Sequence, residues 1–350
     1  MSYRYDIREK YEIILAIETS CDETSAAILK DGRDVLSLVI SSQIKEHQKY
    51  GGVVPEVASR KHMENISSAV NSALNEAGKT FEDIDAIAVT KGPGLVGALL
   101  VGVSYAKGLA LSLNIPFVGV HHIDGHISSN YITHKGLKPP YLCLVVSGGH
   151  SLIAECTGYG EYAVLGTTRD DAAGEAFDKG ARLLGLPYPG GREIDELSKQ
   201  GDPAKIEFPR AKLKGNQMDF SYSGVKTALR QHIHKIGEQE IKKDICDIAA
   251  SYQEAIIDVL VENTREALQK TGHNILSVAG GVAANSRLRE RMQQMCEGIG
   301  VQLYLPELIY CGDNAAMIGA AGYEMLKKGE FGELNMNAQS YIELGENKCF

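Results

Sequence analysis

The segment GVHHIDGHISSNYI, residues 119–132, places three histidines and an aspartate within six positions directly after a short apolar run. If a helix starts there, His122 and His126 are four residues apart on one face, the separation at which two imidazoles can hold one cation. His121 then points elsewhere. In HExxH peptidases the residue after the first histidine is a glutamate that activates water; here it is Ile123, so a peptidase reading lacks its base. A third ligand has to come from a distant segment, and Asp313 of CGDNAAM, at the start of the last helix, is the best placed. Two histidines and one carboxylate with open positions suit non-haem iron or zinc. Spacing alone also admits two histidines with no metal.

A second set of residues suits phosphate chemistry, which needs backbone N–H groups that a ligand can approach closely. Ser147, Gly148 and Gly149 stand at a hairpin tip, AGGVAANS (279–286) puts a glycine turn between a strand and a helix, and PGG occupies 189–191. Each alone is an ordinary tight turn. Three in one half of the chain point to a nucleotide, although neither GxxxxGK[ST] nor GxGxxG is present.

The elements that must position these groups follow from periodicity. YEIILAIETSCDETSAAILKDG (11–32) reads as a strand, a polar turn with Asp22 and Glu23, and a second strand. YLCLVVSGGHSLIAECTGYG (141–160) has the same plan, the trace of a duplicated domain. Between them, 55–78 reads as a helix with Ile66, Val70, Leu74 and Ala77 on one stripe and Gly78 as its stop. Then come the strand 84–90, a turn at Gly92, Pro93 and Gly94, an apolar helix over 95–113 that serves as core or as part of a helical interface, and the strand 116–120. This is a βαβ unit and implies a partly parallel sheet covered by helices. The second half predicts helices over 244–272, 281–298 and 313–329, the last with Asp313 as N-cap, and strands over 274–280 and 301–306. The stretch 200–222 has no period and reads as a long loop or insertion.

With 350 residues, 44% of them hydrophobic, the chain can build a large core and two domains. No uninterrupted apolar run of about 18 residues appears, and MSYRYDIREKYE is charged and polar where a signal peptide would be apolar. The expected location is cytoplasmic, with no membrane partner. Seven cysteines without a CxxC pair argue against a disulfide framework or a zinc knuckle. The net charge of −9 means that nucleic acid would have to meet a local basic patch, for which 210–214 and 286–292 are the candidates.

Taken together, ETSCDET, GGVVPEVASRKH, KGPGLVGALLVG, VHHIDGH, VVSGGH, DDAAGEAFDKGARLLGLPYPGG, AGGVAAN and CGDNAAM resemble, in order and from about residue 12 to 340, the tRNA N6-adenosine threonylcarbamoyltransferase (TsaD) family, once described as O-sialoglycoprotein endopeptidases. ETSCDET is closer to its bacterial branch. The resemblance implies an α/β chain of the ASKHA (actin, sugar kinase and Hsp70) fold. It has two ribonuclease-H-like domains and an active site in the cleft between them. The expected division is 1–135 completed by 308–345, and 136–307.

The implied reaction moves the threonylcarbamoyl group from threonylcarbamoyl-AMP to N6 of the adenosine beside the anticodon, in tRNAs reading codons that begin with A. Carried over by motif, His122, His126 and Asp313 hold one divalent metal, Fe(2+) or Zn(2+). The adenylate, or an ATP or ADP analogue, lies along Val145, Val146, Ser147, Gly148 and Gly149, with Asp178, Gly191, Asp195 and Asn285 contributing. Asp22 and Glu23 are candidates for orienting the amine or the tRNA, or for a general base. TsaB-like and TsaE-like proteins are the implied partners. Arg192 stands where the family commonly has proline and Gly312 where it commonly has threonine. His62, His150 and Lys226 carry no assignment of chemistry. The competing readings are an ATPase or kinase-like protein of the same fold, a metal-dependent glycopeptidase, and a non-catalytic scaffold.

Overall fold

A computed structural model describes residues 10–345. Cys349 and most of the charged N-terminal stretch lie outside the described residues. Two compact units divide these residues: one holds the residues up to Pro139, Gly158–Tyr162 and the residues from Pro306 on, and the other holds Pro140–Thr157 and Ala163–Leu305.

The first unit begins with β1 (Ile13–Glu18), β2 (Glu23–Lys30) and β3 (Asp34–Ser42), then α1 (Ile44–Gln48) and α2 (Pro55–Glu76). It continues through β4 (Ala86–Gly92), α3 (Val96–Leu113), β5 (Phe117–His121) and α4 (His122–Thr133). The sheet order is β3-β2-β1-β4-β5, with β1 antiparallel to β2 and parallel to β4. Every residue of β1 is buried, as expected for a strand covered on both faces. Alternation divides it between two cores. Ile13, Leu15 and Ile17 pack with Ile66, Val70 and Leu74 of α2 and Val103 of α3, while Ile14 and Ala16 face the opposite side. The predicted helical stripe is therefore in place. α3 is the one described helix long and apolar enough to cross a membrane by length and composition, and it packs Val103, Ala106 and Ala110 into this core.

The second unit repeats the plan. It consists of β6 (Tyr141–Val146), β7 (Ser151–Gly158), β8 (Glu161–Thr167), α5 (Ala173–Leu183), α6 (Gly190–Ser198), α7 (Ser223–Ile236), α8 (Glu238–Thr271), β9 (Ile275–Ala279), α9 (Ser286–Ile299) and β10 (Gln302–Tyr304), except that Gly158–Tyr162, where β7 turns into β8, group with the first unit. Its order β10-β9-β6-β7-β8 is that of the first sheet with each strand replaced by its counterpart. β6 is antiparallel to β7 and parallel to β9, as β1 is to β2 and β4. Residues 200–222 carry neither helix nor strand, only a bridge between Phe220 and Thr168, and the buried side chains of Phe208 and Phe220 pin them down. The chain then returns to the first unit with α10 (Ala315–Lys328), whose Ala316, Met317 and Ala320 join Ile14 and Ala16 in the second core.

Three expectations are corrected. The helix expected from 281 begins at Ser286, because Gly281–Ala284 forms a 3-10 turn and the Asn285 side chain caps α9 by accepting from Leu288 N. The strand expected over 301–306 is only Gln302–Tyr304. The N-cap of the last helix is Asn314, which accepts from Met317 N, and not Asp313.

Candidate metal centre

The site in the first unit grows from the ends of three neighbouring strands. β5 runs into α4 with no loop, and α4 is buried on all sides from His122 to Ile132. His121 caps it: Nδ1 accepts from Ile123 N, and Nε2 lies 3.2 Å from the carbonyl of Ile342. His122 and His126 then share one face, their rings 4.7 Å apart and edge-on. The 3-10 turn Leu308–Tyr310 and the Asn314 cap bring Asp313 to the same point. Its Oδ1 lies 3.5 Å from His122 Nε2 and 3.2 Å from His126 Nε2, and one ligand atom from each of the three residues lies within 4.8 Å of the other two.

These distances fit a metal. Ligand bonds of about 2.0–2.2 Å in tetrahedral array put neighbouring donor atoms roughly 3.3–3.5 Å apart. The imidazole of His126 is fully buried, yet neither of its nitrogens makes a hydrogen bond. A buried polar atom without a partner is costly, and a cation among the three side chains would supply what Nε2 lacks. Two histidines and a carboxylate with remaining positions open match the ligand preferences of iron and zinc.

Two groups beside the centre were not singled out from the sequence. Glu18 is buried at the end of β1, with Oε2 3.2 Å from His122 Nδ1 and accepting from Thr90 Oγ1 at 2.6 Å. Ser20 Oγ lies 3.1 Å from the same Nδ1. The available signal was an ionisable residue closing an all-apolar strand. Burial pushes the Glu18 carboxyl up, but the adjacent His122 and the Thr90 hydroxyl bring it below its ordinary value. For His122 burial opposes the charge, and Asp313 and Glu18 more than offset that, raising it to about 9.

Asp22 and Glu23 stand at the entrance to β2. Burial, then Asp22 and Asp313, push the Glu23 carboxyl up to about 10, and its Oε1 accepts from Ser42 Oγ. A cation near Asp313 would lower it. Burial, with Asp22 and Asp313, raises the neighbouring Cys21 thiol, which removes its nucleophilic form. His62 is buried beneath this turn, Nε2 2.9 Å from the Cys21 carbonyl and Nδ1 2.8 Å from Thr24 Oγ1.

The second unit holds the remaining predicted residues, each with its own local contacts. Val145 and Val146 end β6, and the Ser147–Gly148 backbone closes against Gly174, whose added Cβ would lie 2.6 Å from the Ser147 carbonyl. Gly280, at φ +95°, backs onto Val146, where a Cβ would meet the carbonyl oxygen at 2.3 Å. Asp178 accepts from Gly190 N at 2.7 Å, beside Gly191 in the first turn of α6. Asp195 accepts from both the N–H and the hydroxyl of Ser286. Asn285 donates to Gln253 at 2.6 Å while capping α9, so much of its side chain is committed within the protein. Gly149 follows Gly148 in the same exposed turn. His150 donates its backbone N–H to Ser147 Oγ, and Lys226 pairs with Asp171. All six described cysteines are free thiols.

Comparison with known proteins shows the fold and the family. Two solved structures share the fold at low identity: HypF of T. kodakarensis (TM-score 0.61, 15% identical, covering 94% of this chain and 49% of that one), and component A of the (R)-2-hydroxyglutaryl-CoA dehydratase of Acidaminococcus fermentans (TM-score 0.54, 14% identical, 90% and 99%). Both are ASKHA-like, and so is this fold. A tRNA N6-adenosine threonylcarbamoyltransferase of Clostridium botulinum (strain Kyoto / Type A2) is 56% identical over 335 residues, covering 95% of this chain and 98% of the relative. One of Clostridium perfringens (strain ATCC 13124) is 53% identical, covering 96% and 99%. The family model "TsaD: tRNA N6-adenosine threonylcarbamoyltransferase" matches residues 34–320. The chain belongs to the tRNA N6-adenosine threonylcarbamoyltransferase family.

Proposed function

We propose that this chain transfers the threonylcarbamoyl group from threonylcarbamoyl-AMP to N6 of the adenosine adjacent to the anticodon, in tRNAs reading codons that begin with A. The N6 amine bonds to the carbamoyl carbon, the bond from that carbon to the adenylate oxygen breaks, AMP leaves with that bond's electron pair, and the amine gives up one proton to solvent. The observation that carries the reading is the convergence of His122, His126 and Asp313 in a chain of this family.

His122, His126 and Asp313 would hold one divalent ion, iron with zinc as the alternative. When bound, the ion supplies Lewis acidity and a template for the threonyl carboxylate or the carbamate. The turn Val145–Gly149, with Asp178, Gly191, Asp195 and Asn285, takes the adenylate: backbone N–H groups meet the phosphate and carboxylates accept from ribose hydroxyls. Asp22 and Glu23 orient the incoming amine, whose reaction depends chiefly on position. A peptidase reading is weakened by Ile123, which is apolar and buried where a base is needed. A kinase-like reading leaves the histidine pair without work. The protein acts in the cytoplasm with TsaB-like and TsaE-like partners.

The test is a transfer assay with purified partners, tRNA, threonine, bicarbonate and ATP, followed by nucleoside analysis. Formation of threonylcarbamoyladenosine is expected. Its absence with every partner set and with both metals contradicts the assignment.

A further inference from the structure

Glu18 is the one ionisable residue of β1 and is completely buried. The parallel register aligns Ile17 with Val89 and Thr90 with Val120. Glu18, Thr90 and His122 therefore meet where β1, β4 and β5 end. Three donors converge on the carboxylate: Ser20 N–H on Oε1, and Thr90 Oγ1 and His122 Nδ1 on Oε2. His122 Nε2, on the far side of the ring, faces Asp313.

We infer that Glu18 is a positioning residue that makes His122 a metal ligand, by accepting its Nδ1–H, fixing the tautomer whose lone pair is on Nε2, and holding the ring toward Asp313. This rests on reading His122, His126 and Asp313 as ligands. A metal-bound histidine is aimed and tuned by the acceptor on its other nitrogen, and His126 has no such acceptor, since its Nδ1 is without a hydrogen bond. Within the pair, Glu18 therefore acts on His122 alone. Thr90 in turn fixes Glu18 through the 2.6 Å bond.

Glu18→Gln separates this role from simple packing. The amide keeps the size of the carboxylate but offers one accepting oxygen to three donors. If its NH2 faces His122, the ring proton moves to Nε2, the atom required by the metal. The probe is Zn(2+) added to the purified, metal-stripped full chain, with affinity read by competition against a chromophoric chelator and geometry by the Co(2+) visible spectrum.

Glu18→Gln should weaken binding about 10–100-fold and alter the Co(2+) bands, while Thr90→Val should weaken it by a smaller factor and Ser20→Ala should leave it within about twofold. Affinity in Glu18→Gln equal to that of the parent overturns the inference, as does a loss confined to Ser20→Ala. Should Glu18→Gln fail to fold, Thr90→Val decides: unchanged affinity there overturns the role. Absence of binding by the parent contradicts the metal centre itself, whereas binding by the parent with unchanged variants contradicts only the role of Glu18.

Discussion

Nε2 of His126 lies 3.2 Å from Oδ1 of Asp313, and the two make no hydrogen bond. Close approach without hydrogen-bond geometry is what two donor atoms show when both are aimed at a third point. Asp313 is available for this because its neighbour Asn314 caps α10.

That division of labour between adjacent residues predicts opposite variant phenotypes. Asn314→Ala should lower stability by about 1 kcal/mol, the usual worth of a cap. Asp313→Ala should change the unfolding midpoint of the metal-free chain by less than Asn314→Ala does, while removing metal. Denaturant unfolding of the metal-free variants checks both; a larger loss in Asp313→Ala would return the capping role to it.

Stability should carry an acid-side signature from His62. Burial lowers its pKa below the ordinary 6.5, partly offset by the Cys21 carbonyl. As pH falls below about 6.5 the unfolded chain takes up a proton that the folded chain refuses. Stability is then lost, at up to about 1.4 kcal/mol per pH unit, until the folded pKa is passed. Above 6.5 the contribution is complete. The difference in unfolding free energy between the parent and His62→Gln should shrink from pH 7 toward pH 5; a difference constant over that range contradicts the buried neutral imidazole.

Gly280 and Gly272 both adopt positive φ, but only Gly280 lies against backbone, 2.3 Å from the Val146 carbonyl for an added Cβ. Gly272→Ala, with open space around it, should cost about 1 kcal/mol for its left-handed conformation. Gly280→Ala should cost more than about 2 kcal/mol, because the backbone must move as well, and should weaken adenylate binding. Equal unfolding midpoints for the two variants would show that the turns are not closely apposed.

Much of this was legible in the sequence because the relevant patterns are local. Strand β1, the stripe on α2, and the His122–His126 pair follow from periods of two and of about four residues. The edge strands β3 and β8 were not read: they are half-exposed, so their apolar content is diluted. The cap expected at Asp313 belongs to Asn314, since a one-residue shift in a helix start leaves no trace in composition. Glu18 and Thr90 escaped notice because their meeting depends on which strands become neighbours, and register is a tertiary fact.

The most direct test of the central claim is the metal content of the purified chain, measured by elemental analysis beside His122→Ala, His126→Ala and Asp313→Ala. The arrangement predicts one iron or zinc per parent chain and near-complete loss in all three variants, with circular dichroism unchanged. A parent chain that binds no divalent metal, or an Asp313→Ala variant that retains the full complement, would contradict it.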